Sequence, residues 1–255
     1  MLFRRFIAHF RERKWADFVT ELVIVVGGVF FAIQAANWND NRLEQEKGRL
    51  FMERLTEDLR KDLNSRRALV RYYQAVLESG KRTVARLNAE SIDSPTAFVI
   101  DAYRATEYAH RPPTRAAFDE IISSGSLGLM PSDARQAGVI EYFRYDNSLA
   151  AREAVRISPY RLRVRRLLPH DVQVAIRASC SDVVNDRFEI TGFNENCELR
   201  VPIERMKGAA ATLKSDPELL GDLRLHFSVI NAQLPNFRGN VINLEATIEA
   251  LEAAR

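Results

Sequence analysis

Cysteine is nearly absent from this chain, with Cys180 and Cys197 the only two among 255 residues. Neither belongs to a Cys-x-x-Cys pair or a Cys/His cluster, which argues against a zinc site. Histidine is equally scarce. His9, His110, His170 and His226 stand far apart, and none has the spacing that metal ligation needs. Gly (11) and Pro (9) are few while Ala, Leu, Arg and Glu are plentiful, a mix that favours helices over strands. There is no Gly-x-Ser-x-Gly elbow, Walker loop or dinucleotide-binding glycine turn. Ser124-Gly125-Ser126-Leu127-Gly128 follows a helix rather than a strand and reads as a helix end and turn. Asp119-Glu120 and Glu57-Asp58 are adjacent carboxylates that leave a helix in different directions. No nucleophile, base or metal set is assembled, so neither an enzyme nor a cofactor is expected. A repeat of about 20–50 residues is also missing, which excludes a solenoid.

What is present is one long apolar run. From Leu22 to Ala36 only Gln34 interrupts it. A helix from Phe18 to Trp38 would span roughly 32 Å, enough for a hydrocarbon core of about 30 Å. Trp15 and Trp38, the only tryptophans, bracket the run where indole rings favour the headgroup interface. Before it, Arg4, Arg5, Arg11, Arg13 and Lys14 alternate at helical spacing with Leu2, Phe3, Phe6, Ile7 and Phe10. This reads as a basic amphipathic segment lying on an anionic leaflet. The expected division is 1–16 as that cytoplasmic segment, 17–38 as the transmembrane helix, and 39–255 as a helical soluble domain. A cleaved signal peptide is the competing reading, but no Ala-x-Ala site closes the run. The basic leader places the N-terminus in the cytoplasm and the domain outside, although Arg42, Lys47, Arg49 and Arg54 dilute the bias.

Within the span, Gly28, Ala32 and Ala36 recur every four residues, and Glu21, Gly28 and Ala35 every seven. Small residues on one face let two helix backbones approach closely. A membrane-embedded acid such as Glu21 faces protein or water rather than lipid. The expected partners are therefore the bilayer and either another membrane subunit or a second copy of the chain.

Behind the span, Leu43, Leu50, Leu55, Leu59, Leu63, Val70, Tyr73, Leu77, Val84 and Leu87 mark a long amphipathic helix, either continuous with the membrane helix or nicked near Gly48 or Gly80. Ser94-Pro95 starts a helix to about Tyr108, and Thr114 caps another that stops at Ser123-Ser124-Gly125. Pro131-Ser132-Asp133 begins one longer helix toward Leu168, ended by Pro169. Pro202, Pro217 and Pro235 punctuate three more. The fold class expected is mainly α, a transmembrane helix followed by a long amphipathic helix and an irregular bundle.

The polar segment 179–200 holds both cysteines and is the one candidate for extended structure, around 187–190. Two readings stay open for Cys180 and Cys197, a disulfide in an oxidising compartment or two separate thiols. Six arginines crowd the stretch 152–166: Arg152, Arg156, Arg161, Arg163, Arg165 and Arg166, with Glu153 the only acid. They read either as a salt-bridged face or as a patch for lipid headgroups or an acidic partner. A net charge of +3 gives no argument for nucleic acid.

The stretch 21–62, in which Ala-Ile-Gln-Ala-Ala-Asn-Trp-Asn-Asp leads into Glu57-Asp58-Leu59-Arg60-Lys61-Asp62-Leu63, resembles a family of bacterial single-span membrane proteins classed as a domain of unknown function. Thr114 to Met130 and the helix containing Tyr142-Phe143 carry the same resemblance. Where the family usually has Gln-x-x-Asn-Trp-Asn-Glu, this chain has Asp40 at the last position. The resemblance implies the topology above and brings no activity. The function expected is that of a membrane-anchored accessory or scaffolding subunit. A ligand-binding sensor domain acting through a partner is the alternative.

Overall fold

The computed structural model describes residues 15–185 and 190–254. Most of the basic segment 1–16, and the extended stretch expected around 187–190 except its last residue, lie outside the described residues. The protein is mainly α, with ten α-helices, one 3-10 turn and one two-stranded antiparallel sheet among the described residues. Helix α1 spans Trp15–Asn88, α2 Pro95–Arg104 and α3 Ala116–Ser123. After the 3-10 turn Ser126–Leu129 come α4 (Ser132–Gln136), α5 (Val139–Arg144), α6 (Asn147–Arg156), α7 (Pro159–Leu167) and α8 (His170–Ser179). Strands β1 (Asp182–Val184) and β2 (Ile190–Phe193) precede α9 (Ile203–Ser215) and α10 (Leu219–Ala253). Two compact units result, one ending at Phe51 and one from Met52 onward.

In the first unit, α1 exposes its apolar side chains from Phe18 to Ile33 all round. Among the described residues it is the helix long and apolar enough to cross a membrane.

The second unit is a bundle. Arg60 pairs with Glu252 at 2.5 Å and Arg67 with Glu245 at 2.6 Å, so α1 and α10 run antiparallel. Between them Leu69, Tyr72, Tyr73 and Val76 of α1 meet Ile230, Leu234 and Phe237 of α10, with Val155 of α6. A second core joins Phe98, Val99 and Ala102 of α2 to Tyr160 and Val164 of α7, Val172 and Ile176 of α8, and Met206 and Leu213 of α9. The apolar stripe read from the sequence is only part of the buried face. Leu55, Leu59, Tyr73 and Leu77 are buried, but so are Leu69, Tyr72 and Val76, because α1 is covered on more than one side.

One open alternative is settled and three boundary expectations are corrected. Neither Gly48 nor Gly80 breaks α1. At Gly80 an added Cβ would lie 2.5 Å from Cε1 of Phe227, so this glycine admits α10 at close range. The single helix expected from 131 toward 168 is four. Gly138 turns at φ +96°, Asp146 caps α6 through the amides of Ser148 and Leu149, and Ser158 caps α7 ahead of Pro159. Pro235 interrupts nothing, and α10 carries it in its interior. It costs the hydrogen bond to the carbonyl four residues back, but Leu234 and Phe237 are buried on either side and hold the helix together. Thr114 is not a cap either. Its N–H and hydroxyl donate instead to buried Asp62, at 2.9 and 2.7 Å.

Candidate functional site

The residues singled out in the sequence do not converge on one place. Glu21, Gly28, Ala32, Ala35 and Ala36 are exposed on α1, and a Cβ added at Gly28 would meet nothing within 4 Å. Trp15 and Trp38 are both exposed. The six arginines divide among separate faces. Arg152 and Arg156 share Glu153 at 2.8 and 2.7 Å. Arg163 binds Asp216, Glu218 and Asp222 around the start of α10. Arg161 donates to the carbonyl of Thr106, and Arg165 to Glu107, each with its guanidinium over a ring, Tyr108 for Arg161 and Tyr103 for Arg165. Arg166 has no ion pair among the described residues and lines a shallow hollow beside Leu162 and Leu167.

Cys180 and Cys197 are joined by a disulfide, with Cα atoms 5.0 Å apart. The segment it closes contains β1 and β2, paired Asp182 to Phe193 and Val183 to Gly192, with an irregularity before Val184. Two anchors fix this segment to the helices. Buried Arg104 of α2 donates to the carbonyls of Cys180 and Asn194 and lies 5.2 Å from the Phe193 ring centre. Tyr72 of α1 donates to Asp182 at 2.9 Å and packs its ring on Phe193.

Docked this way, the segment forms the third wall of an open cleft of about 880 Å³. The first wall is α1, which presents Arg71, Ala75, Glu78, Ser79, Arg82 and Arg86. The second is α2, with Ala97, Ile100, Asp101 and Arg104. At its floor the buried carboxylate of Asp101 receives Nε and Nη2 of Arg82, the latter at 2.7 Å, and Nη1 of Arg86 at 2.6 Å. Sequence reading missed this group. Its signal was the pair Asp101 and Arg104 on the buried side of the otherwise apolar helix Phe98-Val99-Ile100-Asp101-Ala102-Tyr103-Arg104.

A second hollow of about 40 Å³ lies under Phe193, lined by Glu107, Arg177 and Asp182 among others. Burial pushes the Asp182 carboxyl up to about 6; Glu107 adds to the rise, while the Tyr72 hydrogen bond, Arg177 and Arg104 oppose it. The folded state therefore favours protonated Asp182. That stabilisation is complete below about pH 4 and is lost as pH rises through 6. Asp182→Asn is expected to stabilise the protein at pH 7.5 by about 2 kcal/mol and to match the parent near pH 4. Urea unfolding at the two pH values checks this, and equal effects at both would refute it.

His226 works in the opposite direction. Burial pushes it down to about 4, Nε2 donates to the Ala105 carbonyl at 2.7 Å, and Nδ1 accepts from the Ser158 hydroxyl at 2.9 Å. Unfolded chain binds a proton near pH 6.5 that folded chain refuses, so acidification from there to pH 4 removes stability. The Ser158–His226 pair is almost wholly buried, and Ser158 is occupied in capping α7. It is therefore a packing contact between α7 and α10. Among the described residues no cluster of His, Cys, Asp and Glu is placed to hold a metal.

Compared with protein-family models, curated proteins and solved structures, the chain matches none.

Proposed function

We propose that the chain is a single-pass protein of the bacterial inner membrane that serves as an accessory or scaffolding subunit of a membrane complex. In this reading residues 1–16 stay in the cytoplasm, 17–38 cross the bilayer, and the folded unit lies in the periplasm. The observation that carries it is the apolar surface of α1 from Phe18 to Ile33, exposed on every side and in need of lipid or another helix. The disulfide supports the outward placement, since such bonds persist in oxidising compartments. The open surface around Gly28 supports a helix partner. The reading assigns the chain no catalytic step and no contact with nucleic acid.

Purification from membranes in mild detergent tests it. Stoichiometric protein partners should accompany the full chain, and Gly28→Leu should release them while the chain stays in the membrane. Recovery of the parent chain alone would reject the accessory role. Thiol labelling in intact cells tests the orientation, because two free thiols would place the domain in the cytoplasm. The cleft of about 880 Å³ favours a second reading, a ligand-binding domain that signals through its partner.

A further inference from the structure

We infer that the cleft between α1, α2 and the disulfide-closed segment binds a small organic oxyanion, a carboxylate or a phosphate ester, on the guanidinium groups of Arg82 and Arg86. The inference rests on the ligand-binding reading and is independent of the anchor and of any helix partner.

Charge is the first argument. Four arginines line the cleft (Arg71, Arg82, Arg86, Arg104) against three acids (Glu78, Asp101, Glu195), so four minus three leaves one positive charge. Glu78 is moreover paired with Lys81 at 2.6 Å. Counting that lysine together with Asp93, which lies 3.5 Å from Nε of Arg86, five minus four again leaves one.

Donor accounting is the second. A guanidinium carries five N–H groups. Asp101 takes Nε and Nη2 of Arg82 and only Nη1 of Arg86. Arg86 Nε is buried without a hydrogen-bond acceptor, its closest carboxylate being Asp93 at 3.5 Å. Arg82 and Arg86 stand four residues apart on one helix, where like charges repel. One carboxylate binding both holds them side by side, and Asp93 reaches Arg86 only at 3.5 Å, so the pair is incompletely neutralised. An incoming oxyanion supplies negative charge to the guanidinium edges that Asp101 leaves open, in the geometry for which arginine is suited. Asp101 is thus a positioning residue. Arg71, exposed and without an ion pair among the described residues, stands about three turns away on α1 and widens the site beyond a single anion.

The third argument is the rest of the lining. Ala75, Ala97, Ile100, Val183 and Phe193 give apolar walls for a carbon skeleton. Volume and mixed lining fall in the range of small-molecule sites.

The test uses the full chain in detergent, titrated separately with inorganic phosphate, succinate and benzoate while thermal unfolding is followed, with sodium chloride at matched ionic strength as reference. A saturable rise in the midpoint with at least one oxyanion, above the chloride reference, is the expected result. A better response to succinate or benzoate identifies a carboxylate ligand; a better response to phosphate identifies the phosphate class. Arg82→Lys keeps the charge but loses the fork and should weaken that binding about tenfold. Arg71→Gln should leave inorganic phosphate binding unchanged, since Arg71 stands about three turns from Arg82. No saturable response to any of the three up to about 100 mM, or an affinity equal in parent and Arg82→Lys, overturns the inference. Either failure leaves the anchor and the partner experiment untouched.

Discussion

Reducing the Cys180–Cys197 bond should lower the stability of the folded unit by about 3 kcal/mol, the chain entropy returned to a loop of this length. The separation is 17 residues, and the loop joins α8 to the strands and the approach to α9. For a unit of this size the loss corresponds to a fall in melting midpoint of roughly 6–12 °C. Cys180→Ala with Cys197→Ala should reproduce it without reductant, since Cys180 is buried and alanine leaves no polar group behind. The loss should be local before it is global. Hydrogen exchange at 182–184 and 190–193 should speed up well below the melting range, while the α1–α10 core stays protected. A midpoint unmoved by both reduction and substitution would mean that Arg104 and Tyr72 alone hold the segment in place.

A larger loss is expected from Asp62→Ala. Asp62 is buried on α1 and accepts three hydrogen bonds, from the N–H and hydroxyl of Thr114 and, at 2.8 Å, from the hydroxyl of Tyr142. Tyr142 in turn accepts from Nε of Arg66, which is itself buried and has its Nη1 without an acceptor. Deleting the carboxylate strips three donors of their partner and leaves a buried guanidinium without the anion that its neighbour Tyr142 relays. Removing one member of such a buried charged network costs about 3–5 kcal/mol. Asp62→Asn keeps the volume and one acceptor oxygen and should lose less. Urea unfolding of parent and variants measures both, and a double-mutant cycle with Tyr142→Phe should return coupling above about 0.5 kcal/mol. Additivity within error would show that Tyr142 and Asp62 do not act together.

The sequence showed the fold class because periodicity is a local property. Leu55, Leu59 and Tyr73 sit on one stripe of α1, and the stripe is buried. Ser94-Pro95 announced α2 because a cap and a first-turn proline are adjacent in the chain. Two kinds of feature escaped, local caps inside a continuous apolar rhythm and contacts between neighbours distant in sequence. The stretch 131–168 keeps an apolar rhythm through its breaks, so the caps at Asp146 and Ser158 were hidden inside it. Pro235 looks like a terminator until the packing of Leu234 and Phe237 is known. The cleft was less legible still. Its walls come from 71–86, 97–104 and 183–197, and no spacing within one segment joins Arg82 to Asp101. The arginine run 152–166 is conspicuous in sequence, yet all but Arg166 of its six charges are distributed over Glu107, Glu153, Asp216, Glu218 and Asp222.

The pairing of Arg60 with Glu252 has a mechanical consequence. The folded unit begins at Met52 and its last helix ends at Ala253, so its two ends emerge side by side from the antiparallel pair α1 and α10. Tension applied between those ends would load one residue pair at a time, peeling the helices apart like a zip. Strands or helices pulled from opposite ends share the load across every contact at once and resist far more. Tension between Met52 and Ala253 therefore meets the most compliant direction of that helix pair.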